Sequence, residues 1–343
     1  MEAKAVTVRI SETATSWEDI EALVEVEELE AAPSSWLDGT GGITGGWVTA
    51  ERSRLEAFAS LLGAARARPQ VYQVRRGVCT DLNEVFWLRL VESGDPCMVS
   101  QVAGVGKKGI RFYNAGNPFR LEREWLYPLV RGREVRPFHV DRPQLAVLLP
   151  QRRDVGVDDE ELKASPCVRE YLRYYKTQLE RRSSYRRYHR ERKAPYWSVW
   201  DCGPYTFHSP KVVLREIAGR AIAAVAGTLL PGEDPLGSAL AGKPLVPDHK
   251  LFFVATDREE EAHYLCAILN SSVSVRLLVA WSPKRHVSGK GFLNLLRPPR
   301  YRADDPRHRR LAEISTAAHA ASGVLRRDHL AELDGLATEI LCG

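Results

Sequence analysis

The chain has 343 residues, with 49 lysines and arginines against 44 aspartates and glutamates and a formal net charge of +5. Its 44% apolar and 27% charged residues are those of a folded globular protein, long enough for one large core or two smaller ones. No apolar run is long enough to span a bilayer, the start MEAKAVTVRISET has no hydrophobic signal core, and the cysteines lack the paired spacing of zinc sites; we therefore expect a cytoplasmic protein with reduced thiols and no membrane partner.

In chain order, AKAVTVRI reads as a strand, and the acidic stretch behind it (Glu18, Asp19, Glu21, Glu25, Glu27, Glu28) runs into WLDGTGGITGGW, a glycine-rich linker ending at Trp47. AERSRLEAFASLLGAARAR has Leu55, Phe58, Leu61 and Leu62 at helical spacing. VYQVRRG, EVFWLRLV, MVSQVAG and GIRFYNAG follow as closely spaced strand patterns, which predicts a β meander in which Gly77 turns a strand. Ser165-Pro166 predicts a helix start with serine as N-cap, and Val168, Tyr171, Leu172, Tyr175 and Leu179 form its apolar face. YWSVWDCG and PKVVLREI return to strand patterns. LFFVAT leads to Thr256-Asp257, a cap for one helix over REEEAHYLCAILNSSVSVRLLVAW with Glu259 or Glu260 completing a capping box. Asp305-Pro306 opens the last helical region, with Leu311, Ile314 and Ala318 inward.

The fold class expected is therefore α+β, with mixed twisted sheets and flanking helices. The organisation expected is an N-terminal segment and linker over 1–47 and a main body over 48–343, divided into a β-rich part (48–160), a mixed helix and strand part (161–303) and C-terminal helices (304–343).

Charge is distributed unevenly. The front from Glu2 to Glu30 is acidic, whereas REYLRYYKTQLERRSSYRRYHRERK, from Arg169 to Lys193, is heavily basic, which points to a protein-facing front and a nucleic-acid-facing middle. No self-contained active site is visible. GTGGITGG lacks the preceding strand of a phosphate cradle, and Glu161-Leu162-Lys163 lies in a polar segment rather than on paired strands. The histidines, His249, His263 and His286 among them, do not recur at i, i+4 with a third ligand, and no Gly-x-Ser-x-Gly elbow occurs. Binding is the better class of function. A subunit that only docks other proteins is the alternative within that class, and an enzyme with an unrecognised site is the alternative outside it.

Four blocks occur in a telling order: RRGVCTDLNEVFWL, EREWLYPLVRGREV, YWSVWDCGPYTFHSPKVVLRE, and LFFVATDREEEAHYLCAILNSS followed by a polar loop and FLNLLRPP. Together they resemble the target-recognition half of adenine-N6 DNA methyltransferases of the type IIG and TaqI-like class, with its C-terminal specificity domain. Gly77, Thr80, Asn83 and Phe86 match the family's first motif, with Asp81 in place of a glycine; a position needing positive φ favours Gly but tolerates Asp. Leu126 to Gly132 and Ala267 to Ser271 match two further blocks, and the resemblance runs from Val71 to the C-terminus.

In that family the S-adenosylmethionine site and the Asn-Pro-Pro-aromatic loop precede this region; Asn117-Pro118-Phe119 is one proline short of such a loop. The resemblance thus implies no cofactor in this chain, S-adenosylmethionine on a separately encoded catalytic subunit (or a fragment of a broken gene), and double-stranded DNA as partner. It implies a scaffold of Gly77, Thr80, Asn83, Phe86, Arg131, Gly132 and Asn270, with Phe86, Trp87, Leu126, Tyr127, Ile268 and Leu269 in the core. DNA contacts are expected on loops, at Arg75, Arg76, Lys107, Lys108, Arg131, Arg133 and Lys193. WSPKRHVSGKG, from Trp281 to Gly291, is the favoured reading loop, with Lys284, Arg285, His286 and Lys290.

Overall fold

The computed structural model describes residues 4–9, 25–33, 47–50, 52–102, 110–216, 221–281 and 289–342. Its centre follows from the runs VVL, LFFVA and AAVA, whose consecutive apolar positions suit a sheet covered on both faces. Ala223–Ala226, Lys211–Arg215, Leu251–Ala255 and Arg75–Arg76 form that sheet in this order, each pair antiparallel. Alternation sends Val213, Leu251 and Phe253 into one core and Val212, Leu214 and Val254 into another. The sheet is a wall shared by two hydrophobic cores. Of VYQVRRG, only Arg75–Arg76 is strand.

The first core is built on a six-stranded sheet. Trp87–Glu92 and Cys97–Gln101 pair as two neighbouring strands of the expected meander, whose first run joins the other sheet and whose last is replaced by Phe119–Leu121. Leu145–Leu148, Leu126–Val130 and Val246–Pro247 extend the sheet on the other side. Two boundaries differ from expectation. Asn83–Phe86 is a helical turn, so the strand begins only at Trp87. GIRFYNAG supplies no strand: Tyr113–Gly116 is a 3-10 turn with Asn114 and Ala115 at φ of 50° and 53°. There the Tyr113 amide donates to Gln101 Oε1 at 2.7 Å, and its ring packs edge-on against Phe119 and Tyr171, so aromatic burial outweighs strand propensity.

Helix Pro166–Tyr174 packs on this sheet, with Val168, Tyr171, Leu172, Tyr175 and Leu179 buried as the periodicity predicts. Its cap differs from the expected one. Ser165 Oγ accepts from the Trp125 indole at 2.8 Å, and the Glu122 carboxylate instead accepts from the amides of Cys167 and Val168 at 2.9 and 2.8 Å. A buried indole N–H needs a partner more than a helix end that a carboxylate can already satisfy. YWSVWDCG also forms no strand beyond an isolated bridge between Cys79 and Trp200. The Gln151 side chain takes the place of a neighbouring strand, accepting from the Val199 amide at 2.8 Å and donating to the carbonyls of Val199 and Cys202.

The second core is helical. Arg52–Ala67, Glu259–Asn270, Ser272–Trp281, Gly289–Leu296, Pro306–Ala320 and Arg327–Cys342 pack on the far face of the shared sheet, with Phe58, Leu61, Ile268, Leu269, Leu311, Ile314 and Ala318 buried. The single helix expected over 258–281 is two helices bent by 57°. Ser271 is extended there and its hydroxyl donates to the Ile268 carbonyl at 2.7 Å, while Asp334 receives the Ser272 amide at 2.7 Å and so caps the second helix. Thr256 and Asp257 do not cap the first: Arg258 is the N-cap, and Glu259, Glu260 and Glu261 face the dipole from the first turn. Asp305 caps as expected, accepting from the Arg307 amide at 2.9 Å.

At the front, Lys4–Arg9, Glu25–Pro33 and Trp47–Ala50 form an antiparallel sheet in which Lys4 lies opposite Glu30 and Arg9 opposite Glu25. The glycine-rich stretch before Trp47 lies outside the described residues. Among those residues no single helix is long and apolar enough to cross a membrane.

Candidate nucleic-acid interface

The loop from Gly77 to Phe86 is held by close packing and by two polar residues. Gly77 donates its amide to the Leu251 carbonyl at 2.8 Å, and a Cβ at this position would come within 2.1 Å of the Asp248 carbonyl oxygen. Glycine is therefore required by backbone approach rather than by a turn, which corrects the expected role. Thr80 donates its hydroxyl to Asn83 Oδ1 and closes the loop. Asp81 adopts φ 55°, and its carboxylate accepts from the Ser183 hydroxyl at 2.6 Å and the Ser184 amide at 3.0 Å.

Arg182 fastens the same loop from within. Only 4% exposed, it donates to the carbonyls of Thr80 (2.9 Å), Tyr196 (2.7 Å), Ser198 (2.9 Å) and Leu179 (3.1 Å), with its guanidinium 5.0 Å from the Phe86 ring centre. Burial pushes its pKa down to about 10, which leaves it cationic at neutral pH, held by carbonyl dipoles and favoured by the nearby Asp81 carboxylate. The loop and the basic stretch are thus one unit.

That stretch is not a continuous helix. It divides into Pro166–Tyr174, Lys176–Glu180 and a π-helical turn at Tyr185–His189. Its first arginines are neutralised: Arg169 and Arg173 pair with Asp159 at 2.5 and 3.3 Å. Arg192 reaches Asp154 at 3.6 Å. Arg181, Arg186, Arg187 and Arg190 are exposed and have no carboxylate partner among the described residues. Arg186, Arg187 and Arg190 line one surface depression with Ser183, and Glu191 stands beside them.

One of these arginines, Arg187, lies over an aromatic stack. Tyr188 stacks on Trp200 with ring centres 3.6 Å apart and planes within 11°, and Arg187 lies 5.3 Å from the Tyr188 ring centre. His189 is 1% exposed, and neither ring nitrogen has a hydrogen-bond partner. Desolvation, with Arg182 and Arg192 nearby, pushes its pKa down to about 4, so the imidazole is neutral.

The other expected contacts are distributed as follows. Arg75 is half-buried on the edge strand with its guanidinium 4.5 Å from the Tyr205 ring centre. Arg76 donates to the His249 carbonyl at 2.8 Å and pairs with Glu216 at 2.7 Å. Arg131, expected on an open loop, points inward instead: it is 12% exposed and pairs with Glu134, whose carboxylate also accepts the Arg131 amide at 2.7 Å. The buried Glu134 carboxylate requires a cation, and Arg131 is the one the turn places against it. Arg133, 71% exposed, shares that carboxylate at 2.9 Å. Gly132 faces Lys250 at ordinary contact distance, and Lys193 is exposed just after the π turn.

Asn270 accepts from the Ala223 amide at 3.1 Å and donates to its carbonyl at 2.8 Å, acting as a one-residue strand on the sheet edge. Phe86, Trp87, Leu126, Ile268 and Leu269 are buried, and Tyr127 is half-buried against Phe207. Lys107, Lys108, Lys284, Arg285 and His286 lie outside the described residues, and so does the Lys290 side chain. The backbone of Lys290 belongs to helix Gly289–Leu296 rather than to a loop. Among the described residues no group of three or more His, Cys, Asp and Glu could hold a metal ion.

Sequence reasoning passed over Asp81 as an anchor, Arg182 as a buried cation and the Tyr188–Trp200 stack. The serine pair within RRSSYRRYHR was the available signal, since Ser183 and Ser184 break the run of charge where the anchor attaches.

No family model matches the chain. Over 179 residues, 51% of its length, the chain is 26% identical to the type II methyltransferase M.NspV of a Nostoc species. The match spans 34% of that relative, so the chain corresponds to about a third of it. Among solved structures, the type IIL restriction-modification enzyme MmeI in complex with DNA aligns with 79% of this chain and 33% of its own, at a TM-score of 0.47 and 9% identity.

Proposed function

We propose that this chain is the DNA target-recognition part of a site-specific adenine-N6 DNA methyltransferase of a restriction-modification system. The methyl donor and the catalytic loop belong, on this reading, to a separately encoded subunit, which the acidic front holds. The observation that carries the reading is the group of exposed arginines without carboxylate partners among the described residues, Arg181, Arg186, Arg187 and Arg190, on a stretch bolted to the Gly77–Phe86 loop by Asp81 and Arg182. Unneutralised arginines on a rigid element attract and register a phosphate backbone. The similarity to a type II methyltransferase over half of the chain supports the same direction. Arg75, Arg133 and Lys193 are proposed as further backbone contacts, and Lys107, Lys108 and the 281–291 segment as further reading elements.

The test is duplex DNA binding as a function of salt, with S-adenosylmethionine titrated into the same protein by calorimetry. Affinity should fall linearly on a log–log plot, with a slope of about −0.9 for each phosphate neutralised. The cofactor should give no binding heat. Affinity that does not change between low and moderate salt would favour the protein-docking alternative, and stoichiometric cofactor binding would remove the need for a separate catalytic subunit.

A further inference from the structure

The three arginines around the depression at Ser183 are not equivalent. Arg186 and Arg190 have no aromatic ring against their guanidinium groups among the described residues, whereas Arg187 lies on Tyr188, which lies on Trp200. Trp200 is itself tied to the first motif, because its carbonyl accepts the Cys79 amide at 2.9 Å. The stack therefore runs from a rigid backbone bridge outward to one exposed guanidinium.

The π turn is part of this arrangement. Its extra residue per turn, seen in the Arg190 amide donating to the Tyr185 carbonyl at 2.9 Å, places the neutral and unpartnered His189 inward while Arg187 stays on the surface. Such turns weaken a helix and persist where they aim a side chain. A guanidinium held over a ring, as Arg187 is at 5.3 Å from the Tyr188 ring centre, has lost part of its rotational freedom before any ligand arrives, so less is lost when it forms a paired hydrogen bond. Phosphate oxygens accept from many directions and gain little from such holding. A guanine edge, which presents O6 and N7 side by side in the major groove, requires a planar donor fork in one orientation.

We infer that Arg187 reads a guanine in the recognised DNA sequence, with Tyr188 and Trp200 as its positioning residues and Arg186 and Arg190 as phosphate contacts. This rests on the reading of the chain as a DNA-recognition module. The three arginines are surface residues, and Arg187 has no hydrogen-bonded or ionic partner among the described residues whose loss could unfold the chain.

Competition binding of the full chain on a randomised duplex library tests it, comparing wild type with Arg187→Ala, Arg187→Lys, Tyr188→Leu and Arg186→Ala. Arg187→Ala should weaken the preferred sequence about 5- to 150-fold and abolish the preference for guanine at one position. Arg187→Lys keeps the charge, so it should leave the salt slope unchanged while relaxing that same position. Tyr188→Leu should relax it in part. Arg186→Ala should weaken all sequences alike and lower the salt slope by about one. Full guanine preference in both Arg187 variants, or a wild-type preference containing no guanine, would overturn the inference and leave salt-dependent DNA binding standing. Absence of salt-dependent binding in the wild type would overturn both.

Discussion

Arg182 and Arg187 belong to the same basic stretch, yet one is 4% exposed among four carbonyl oxygens and the other stands on the surface over a tyrosine. Among the described residues neither forms an ion pair with a carboxylate, unlike Arg169 and Arg173 with Asp159. The contrast shows how a protein can anchor a positive surface without cancelling it. Carbonyl dipoles hold the buried cation, and the one carboxylate in the anchor, Asp81, is engaged by Ser183 and Ser184, so the exposed arginines of the turn keep their charge.

Breaking the anchor should have the largest effect. Arg182→Ala leaves the carbonyls of Thr80, Leu179, Tyr196 and Ser198 without this donor inside the first core, and should cost about 3 kcal/mol or more in urea denaturation. A loss under about 1 kcal/mol would mean that water or the Asp81 contact holds the loop by itself.

The next effect depends on pH. His189 titrates near 4 in the fold, against about 6.5 when unfolded, so between these values the unfolded chain binds more protons and this group's contribution to stability falls as pH drops. His263 and His319 in the second core are also pushed down to about 4 by burial and add to the same slope. His189→Leu should remove one proton from the acid-side dependence, so that its stability relative to wild type improves by about 1 to 2 kcal/mol on going from pH 7 to pH 5. Parallel stability curves for the two proteins over that interval would show that His189 is already hydrated in the fold.

The smallest effects on stability sharpen the comparison among exposed arginines. Arg173→Ala breaks a surface ion pair and Arg190→Ala breaks none, so each should change stability by no more than about 0.5 kcal/mol. Only Arg190→Ala should lower the salt slope of DNA binding, by about one. Equal slopes for the two variants would place the DNA contact across the whole basic stretch rather than on its π turn.

Some of this was readable in the letters, because it depends on neighbours along the chain. The apolar runs of Lys211–Arg215 and Leu251–Ala255, the face of Val168, Tyr171, Leu172 and Tyr175, and the Asp305 cap are set by local periodicity and by a side chain reaching two residues away. Asp81 at a positive φ belongs with them, as Asp tolerates a conformation that most residues avoid. Other features could not be read in this way. Ser165 had the right position for a cap, but Trp125 claimed its oxygen; the helix over 258–281 had unbroken periodicity, but Ser271 turned it where Asp334 could cap a new one.

By itself the sequence determined where apolar faces lie, where helices can start, and that one stretch is rich in arginine. Only the tertiary structure decided which of those arginines are spent on the fold and which are left for a ligand. Hydrophobic periodicity is a property of adjacent residues, whereas the partner of a charge is whatever the fold brings beside it. Here the decisive bonds, from Arg182 to Thr80 and from Ser183 to Asp81, each join residues 102 positions apart.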